Sequence, residues 1–224
     1  GWTILSPELG EYIEVIPPMK RIHTDWYLGN ADAVFQNLES IVAENPEHTL
    51  VLAADHIYKM NYHEMIEWHR EHRADITIGT IQVAPEEAER FGVVEIDPQH
   101  VVVGFEEKPQ HGNPVRSVFN PAMVSASMGI YVFDTGALLQ ALKEDAEDPN
   151  SSHDFGKDVI PRRIRKARVI AYDFIDLNDK TVKYWRDVGT LEAYYEANMD
   201  LVSVLPEFNL YDKRWPIRTN LLQQ

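Results

Sequence analysis

Short apolar segments of strand length alternate along this chain with longer segments whose apolar residues recur at helical spacing. Residues 50–54 form a continuous apolar run between polar residues, which is typical of a buried parallel strand. Residues 31–45 instead place a set of apolar side chains on one helical face: Ala33, Val34, Leu38, Ile41 and Val42. Such alternation predicts an α/β domain with a parallel or mixed sheet.

The same patterns divide the rest of the chain into elements. Further strands are predicted over residues 76–83, 127–133 and 168–175, and a hairpin over 93–97 and 101–105. Further helices are predicted over residues 62–74, 85–91, 135–146 with Thr135 as its cap, 155–166 interrupted at Pro161, and 191–205. We expect one domain over residues 1–205 and a connector over residues 206–224.

Composition excludes several classes of function. The chain carries 21 Lys and Arg against 36 Asp and Glu, a net charge of −15, which argues against nonspecific binding to nucleic acid or to an anionic membrane. No apolar run approaches the roughly 20 residues that span a bilayer. Cysteine is absent, which excludes disulfides and thiolate metal sites and suits a cytoplasmic protein.

Acidic residues follow predicted strands at three places. Asp55 ends the apolar run, and Asp187 precedes Gly189 and a predicted helix. Ligands of open α/β sheets bind at the carboxyl ends of strands, where a carboxylate can hold a hard cation against a phosphate. The alternative is that Asp55 caps its strand or opens a turn, and that Asp187 caps the helix beginning near Leu191.

The third place is the strand exit Glu107-Lys108-Pro109. Glu107 can accept hydrogen bonds from sugar hydroxyls, and Lys108 can neutralise a phosphate as a point charge. Taken alone, the tripeptide is equally a polar strand exit. The spacing of these acids does not by itself name a reaction.

Other polar clusters carry weaker signals. His69 and His72 lie three apart on a predicted helix without a clear third ligand, which favours solvated surface histidines over a zinc site. The alternative for His69 is that it faces inward with Met65 and Ile66. The basic run over residues 162–166 fits a helix face near the carboxyl end, or alternatively an anion-binding or regulatory patch.

Several longer segments carry a resemblance to a known family. The chain closely resembles the bacterial ADP-glucose pyrophosphorylases (glucose-1-phosphate adenylyltransferases), a branch of the sugar-nucleotide transferase family. The matching segments run in order over essentially the whole chain, at residues 26–33, 53–60, 105–109, 127–133, 151–158, 184–190 and 214–219. The motifs Ser-Ser-His-Asp-Phe-Gly-Lys-Asp at 151–158 and Trp-Pro-Ile-Arg-Thr at 215–219 are typical of the ADP-glucose branch.

The resemblance implies a Rossmann-like, GT-A-like mixed sheet with flanking helices. It also implies adenylyl transfer from ATP to α-glucose 1-phosphate, giving ADP-glucose and pyrophosphate for glycogen biosynthesis, in an allosteric homo-oligomer. By resemblance Asp55 and Asp187 hold Mg²⁺, and Lys108 binds the phosphate of glucose 1-phosphate. The residues implied around the glucose are Glu107, Ser127, Tyr131, Asp154, Phe155 and Trp185, and those by the nucleotide are Tyr27 and Gly29.

The chain also departs from the family. It has Asn30 where the family usually has Thr, and Ala54 where Gly often precedes the metal-binding Asp. From the comparison with the family, we expect three parts to lie outside the chain: the first strand, the Gly-rich loop that wraps the triphosphate, and the C-terminal β-helix. We therefore expect very weak activity or none, and exposed sheet edges that favour association between copies. Two alternatives stay open: a non-catalytic sugar-phosphate-binding or regulatory subunit, and a related pyrophosphorylase that uses another nucleotide.

Overall fold

A computed structural model describes residues 11–17, 26–110, 113–175 and 183–210. Most of the predicted connector, including the motif at residues 214–219, lies outside these ranges. None of the helices within them is long and apolar enough to cross a membrane.

The described residues form a sheet flanked by helices. The strands are β1 (His48–Val51), β2 (His56–Tyr58), β3 (Ile76–Val83), β4 (Gly92–Ile96), β5 (Val102–Glu107), β6 (Val124–Asp134), β7 (Val169–Asp173) and β8 (Trp185–Asp187). The helices are α1 (Asn30–Phe35), α2 (Leu38–Glu44), α3 (Tyr62–Glu71), α4 (Thr135–Ala146), α5 (Ile160–Arg163) and α6 (Leu191–Leu201), with a 3₁₀ helix at Pro85–Arg90 and a π-helical turn at Phe155–Val159.

The main sheet is mixed. Its strand order is β5-β4-β6-β3-β7, with β1 also paired to β6. The long central strand β6 runs antiparallel to β1, β3 and β4, whereas β3 and β7 are parallel. The predicted α/β class with a mixed sheet is confirmed, as is the hairpin, which β4 and β5 form.

Strand β1 differs from its prediction. The apolar run was expected to be a buried parallel strand, but β1 covers His48–Val51, is only partly buried and pairs antiparallel with β6. Among the described strands β6 is its single neighbour, so its other edge lacks the parallel partner that full burial requires. The chain then leaves the sheet at Leu52, whose side chain is exposed, and leads to Asp55.

The helices also differ in detail. The segment predicted as one helix over residues 31–45 divides into α1 and α2. The cap of α4 is Asp134, whose carboxylate accepts from Ala137 N at 3.2 Å, while the Thr135 hydroxyl bonds Thr49 instead. Pro161 does not interrupt a helix but lies in the first turn of α5, where its missing N–H has no partner to lose.

Each face of the sheet buries an apolar cluster. One face packs against α4 and the π-helical turn through Phe133, Leu138 and Phe155, and the other packs against α3 through Met65 and Met128. Of the two interpretations of His69, the solvated one is wrong and the inward one is confirmed, because this residue of α3 is 1% exposed. Its Nδ1 lies 2.8 Å from Thr77 Oγ1 on β3, which satisfies one ring nitrogen.

The basic run at residues 162–166 is paired with acids of its own fold. Arg162 lies 2.9 Å from Asp148, while Arg163 and Lys166 lie 3.2 and 2.9 Å from Glu144. These contacts hold α5 against the end of α4, which supports the helix-face interpretation rather than an anion-binding patch.

Candidate active site

A cleft of about 420 Å³ lies beside the carboxyl ends of β1 and β5 and the middle of β6. Nine of the eleven residues predicted for the site line it: Asp55, Glu107, Lys108, Ser127, Tyr131, Asp154, Phe155, Trp185 and Asp187. The fold therefore brings acids from four separate segments of the sequence into one cavity.

Asp55 and Asp187 meet because β2 and β8 pair antiparallel, with His56 opposite Asp187. Val188 N donates to the Asp55 carbonyl at 2.9 Å and fixes the ends of the two strands. One ligand atom from each of Asp55, His56 and Asp187 lies within 4.8 Å of the others. Two carboxylates at this separation offer the oxygen ligands that a hard divalent cation prefers.

Neither carboxylate is needed as a cap. Helix α6 is capped by Thr190, whose Oγ1 accepts from Ala193 N at 3.1 Å, so the interpretation of Asp187 as that cap is wrong. Asp187 Oδ1 accepts one bond, from Gly189 N at 2.8 Å. In the described part of the chain no backbone N–H donates to the Asp55 carboxylate. The pair thus keeps free oxygens for a cation, and its donor set fits Mg²⁺.

Lys108 lies at the end of β5 with an unusual backbone. Its φ is +47°, in the left-handed region that residues other than glycine rarely occupy. A hydrogen bond from its N–H to the Phe91 carbonyl at 3.1 Å holds this conformation. Its side chain is 60% exposed and its Nζ lies 4.0 Å from Glu107 Oε1, a loose contact that leaves the ammonium group able to meet an anion in the cleft.

Glu107 faces the inner part of the cleft. Burial raises the pKa of its carboxyl group, the nearby charge of Asp154 adds to the rise, and Lys108 opposes it. A Cβ atom placed on Gly92 or Gly156 would come within 2.9 or 2.7 Å of Glu107 Oε2. The two glycines therefore provide the space that this carboxylate occupies.

An aromatic wall closes the inner end. Tyr131 is buried on β6 with its ring 5.8 Å from that of Phe155. Burial raises the pKa of the Tyr131 phenol to about 12, although its hydrogen bond with Ser127 opposes the rise, so Tyr131 remains a neutral hydrogen-bonding group at neutral pH.

Trp185 forms the wall nearest the acidic pair. Its ring packs edge-on against His56 at 5.0 Å and Phe91 at 5.2 Å. Its buried Nε1 has no hydrogen-bond partner among the described residues. A buried donor of this kind is costly unless a ligand satisfies it.

Asp154 is held by a loop that is anchored from behind. Its Oδ1 accepts from Lys157 N at 2.9 Å, which caps the π-helical turn. Behind it the buried Asp145 bonds the Ser151 hydroxyl at 2.6 Å and His153 Nδ1 at 2.8 Å. The loop therefore has little freedom, and the Asp154 carboxylate has a defined direction.

Sequence reasoning did not assign several polar or glycine residues that line the cleft, among them Asn30, Arg90, Gly92 and Gly156. Two of these four lie inside matching segments: Gly156 at residues 151–158, and Asn30 at residues 26–33, where it was noticed as a departure from the family. Tyr27 and Gly29 are not among the lining residues: Tyr27 OH accepts from Asn37 Nδ2 at 3.0 Å, and Gly29 packs on the backbone of His153. Their assignment to the nucleotide stays a prediction.

Residues 8–204 match the protein family described as nucleotidyl transferase. The chain belongs to the nucleotidyl transferase family. It is 54% identical to a glucose-1-phosphate adenylyltransferase of Koribacter versatilis over 224 residues, and these residues make up 100% of this chain and 54% of the relative. To the enzyme of the same name from Rhodopirellula baltica it is 53% identical over 212 residues, 95% of this chain and 47% of the relative.

These comparisons confirm the resemblance inferred from the motifs and the fold expected of a nucleotidyl transferase. The chain spans about half the length of the curated relatives it matches.

Proposed function

We propose that the chain provides the sugar-phosphate half and the metal site of a glucose-1-phosphate adenylyltransferase. The observation that carries this proposal is one cleft that joins the Asp55–Asp187 pair, the exposed side chain of Lys108 and the partly buried carboxylate of Glu107. The similarity to enzymes of that name supports the choice of ATP and glucose 1-phosphate as substrates and of ADP-glucose and pyrophosphate as products.

The reaction asks little covalent chemistry of the protein. A phosphate oxygen of glucose 1-phosphate attacks the α-phosphorus of ATP, the bond between the α-phosphorus and its bridging oxygen breaks, and pyrophosphate leaves. The chain's residues must then hold two polyanions in line and balance their charge. Lys108 does this for the sugar phosphate from the mouth of the cleft. Asp55 and Asp187 would hold Mg²⁺, which would supply positive charge to the phosphate groups of the nucleotide.

The inner cleft suits a sugar. Glu107 and Asp154 line it and accept hydrogen bonds from hydroxyl groups. The rings of Tyr131 and Phe155 lie at the end of the cleft, where they pack against the sugar ring and exclude water.

Calorimetric titration of the 224-residue chain tests the proposal. In the presence of MgCl₂ we expect glucose 1-phosphate to bind more tightly than inorganic phosphate, glucose or glucose 6-phosphate, and ADP-glucose more tightly than UDP-glucose. Lys108→Ala should weaken glucose 1-phosphate and phosphate but not glucose. Equal affinity for glucose 1-phosphate and glucose 6-phosphate, or no binding of either, would overturn the sugar-phosphate assignment, and a preference for UDP-glucose would overturn the choice of nucleotide.

A further inference from the structure

The side chain of Asn30 links helix α1 to the loop that carries Asp154 and Phe155. It is the first residue of α1 and lines the cleft. Its Nδ2 donates to Asp154 Oδ2 at 2.8 Å, and its Oδ1 accepts from Phe155 N at 2.8 Å. Both atoms of the carboxamide are therefore engaged on adjacent residues of the sugar-facing loop.

The chemistry of the partners fixes the orientation of the amide. The Asp154 carboxylate only accepts and the Phe155 N–H only donates, so a flipped Asn30 would lose both bonds. Since Lys157 N already occupies the other Asp154 oxygen at 2.9 Å, the two contacts together set the plane of the carboxylate.

The backbone around Asn30 is docked as closely as its side chain. Ala31 N donates to the His153 carbonyl at 2.8 Å. A Cβ atom on Gly29 would lie 2.3 Å from the same carbonyl oxygen, so only glycine permits this approach. Asn30 thus reaches Asp154 from a fixed position.

Asp154 needs such support because Glu107 is a second acid in the same part of the cleft. The charge of Asp154 is one cause of the raised pKa of Glu107, which shows that the two carboxyl groups oppose each other. A donor on Asp154 holds that carboxylate in place against this repulsion.

We propose that Asn30 is a positioning residue that aims the Asp154 carboxylate at the sugar of the bound sugar phosphate. The inference rests on the proposed function, since it takes the inner cleft as the sugar site. It assigns Asn30 to recognition of the sugar and not of the phosphate, which Lys108 meets.

Three variants of the full 224-residue chain test this role. Asn30→Ala removes both bonds, and the nearly isosteric Asn30→Asp keeps an acceptor for Phe155 N but sets a negative charge against Asp154. Asn37→Ala is the matched control, because Asn37 also makes two side-chain bonds, to Tyr27 OH and the Ala33 carbonyl, but does not line the cleft.

Calorimetry with glucose 1-phosphate and with inorganic phosphate gives the first readout. We expect Asn30→Ala to weaken glucose 1-phosphate about fivefold, the effect of one net hydrogen bond, and Asn30→Asp to weaken it about tenfold or more. Phosphate affinity should stay within about twofold in all variants, and Asn37→Ala should match the wild type for both ligands.

Amide hydrogen exchange of Phe155 gives a second readout that needs no ligand. Exchange should be faster in Asn30→Ala than in the wild type and in Asn37→Ala. Suppose that the wild type binds glucose 1-phosphate. If Asn30→Ala binds it equally well, or if its affinity for inorganic phosphate falls as much as its affinity for glucose 1-phosphate, the positioning role is overturned and the proposed function stands. A wild-type chain that binds no glucose 1-phosphate overturns both.

Discussion

His56 and Asp187 lie directly opposite each other in the antiparallel pair of β2 and β8. This register places Asp55, the residue before β2, beside the carboxylate that ends β8. The metal site that we propose is therefore a product of strand pairing between distant segments, and not of a local motif. A bound cation would offset the repulsion between its two acids.

Substituting either acid should weaken cation binding with little effect on folding. We expect Asp55→Asn and Asp187→Asn each to lower Mn²⁺ affinity by about tenfold or more, because the number of charged ligands sets the affinity of such sites. Electron paramagnetic resonance of free Mn²⁺ measures this without turnover. Glu71→Gln on α3, outside the cleft, is the control. Unchanged affinity in both asparagine variants would exclude the pair as the metal site.

The left-handed backbone of Lys108 allows a test of whether conformational strain at this residue accompanies a role in phosphate binding. Its φ of +47° costs about 1–2 kcal/mol in a residue other than glycine. Lys108→Gly should leave stability unchanged or raise it by up to about 1 kcal/mol, since the entropy lost by glycine offsets part of the relief. The same variant should lose affinity for phosphate and glucose 1-phosphate.

Arg73 supplies the matched control, because its φ is also +47° and it follows the end of α3, where glycine is favoured. Arg73→Gly should raise stability by a similar amount and leave both affinities unchanged. Urea unfolding and calorimetry measure the two effects. If Lys108→Gly retained full affinity, the phosphate role of Lys108 would be excluded.

The sequence predicted the elements of this fold better than their partners. Periodicity located β3, β6 and α3 because these elements bury one regular face or two. It could not show that β1 pairs antiparallel with β6, since pairing depends on residues far away in sequence. For the same reason the sequence could not decide between a solvated and an inward His69, because its partner Thr77 lies on another element.

The candidate site was likewise predicted in part: single residues were identified, but their contacts with distant segments were not. Asp55, Lys108 and Asp187, which line the cleft, were singled out because acids and a lysine at strand ends have a recognisable chemistry. Asn30 was noticed only as a departure from the family, because its role appears when α1 meets the loop that carries Asp154. Gly92 makes space for a carboxylate on another strand, and a glycine in a sequence does not show which neighbour approaches it.

Gly156 gives a prediction that separates binding from folding. A Cβ atom in Gly156→Ala would come 2.7 Å from Glu107 Oε2, the far end of a flexible side chain that can move away. We expect glucose 1-phosphate affinity to fall about fivefold or more, the cost of displacing one hydrogen-bonding carboxylate. The unfolding temperature should change little, since no backbone atom is displaced.

Gly104→Ala is the control for this crowding. Its Cβ atom would also lie 2.7 Å from a glutamate oxygen, that of Glu95, but Glu95 is outside the cleft. Thermal unfolding should give similar small shifts for both variants, and calorimetry should show a loss for Gly156→Ala alone. A loss of affinity in both variants would point to a general disturbance of the sheet instead of a displaced Glu107.

His69 predicts how stability depends on pH. Burial, and next the neighbouring His48, lower its pKa to about 4, while Asp134 and Asp75 oppose the shift and Arg70 adds to it. The unfolded chain has the ordinary histidine pKa of about 6.5. Between these values the unfolded state binds a proton that the folded state excludes, so stability falls as pH decreases from about 6.5 to about 4.

Replacing His69 should remove this part of the pH dependence. We expect His69→Gln to be less stable than the wild type at pH 7.5, because its packing against Thr77 is altered, but to lose less stability on acidification. His63→Gln, which changes an exposed histidine of the same helix, should keep the wild-type slope. Urea unfolding at steps from pH 7.5 to 4 measures all three proteins. Parallel curves for His69→Gln and the wild type would show that His69 takes up its proton without unfolding, which would contradict the lowered pKa.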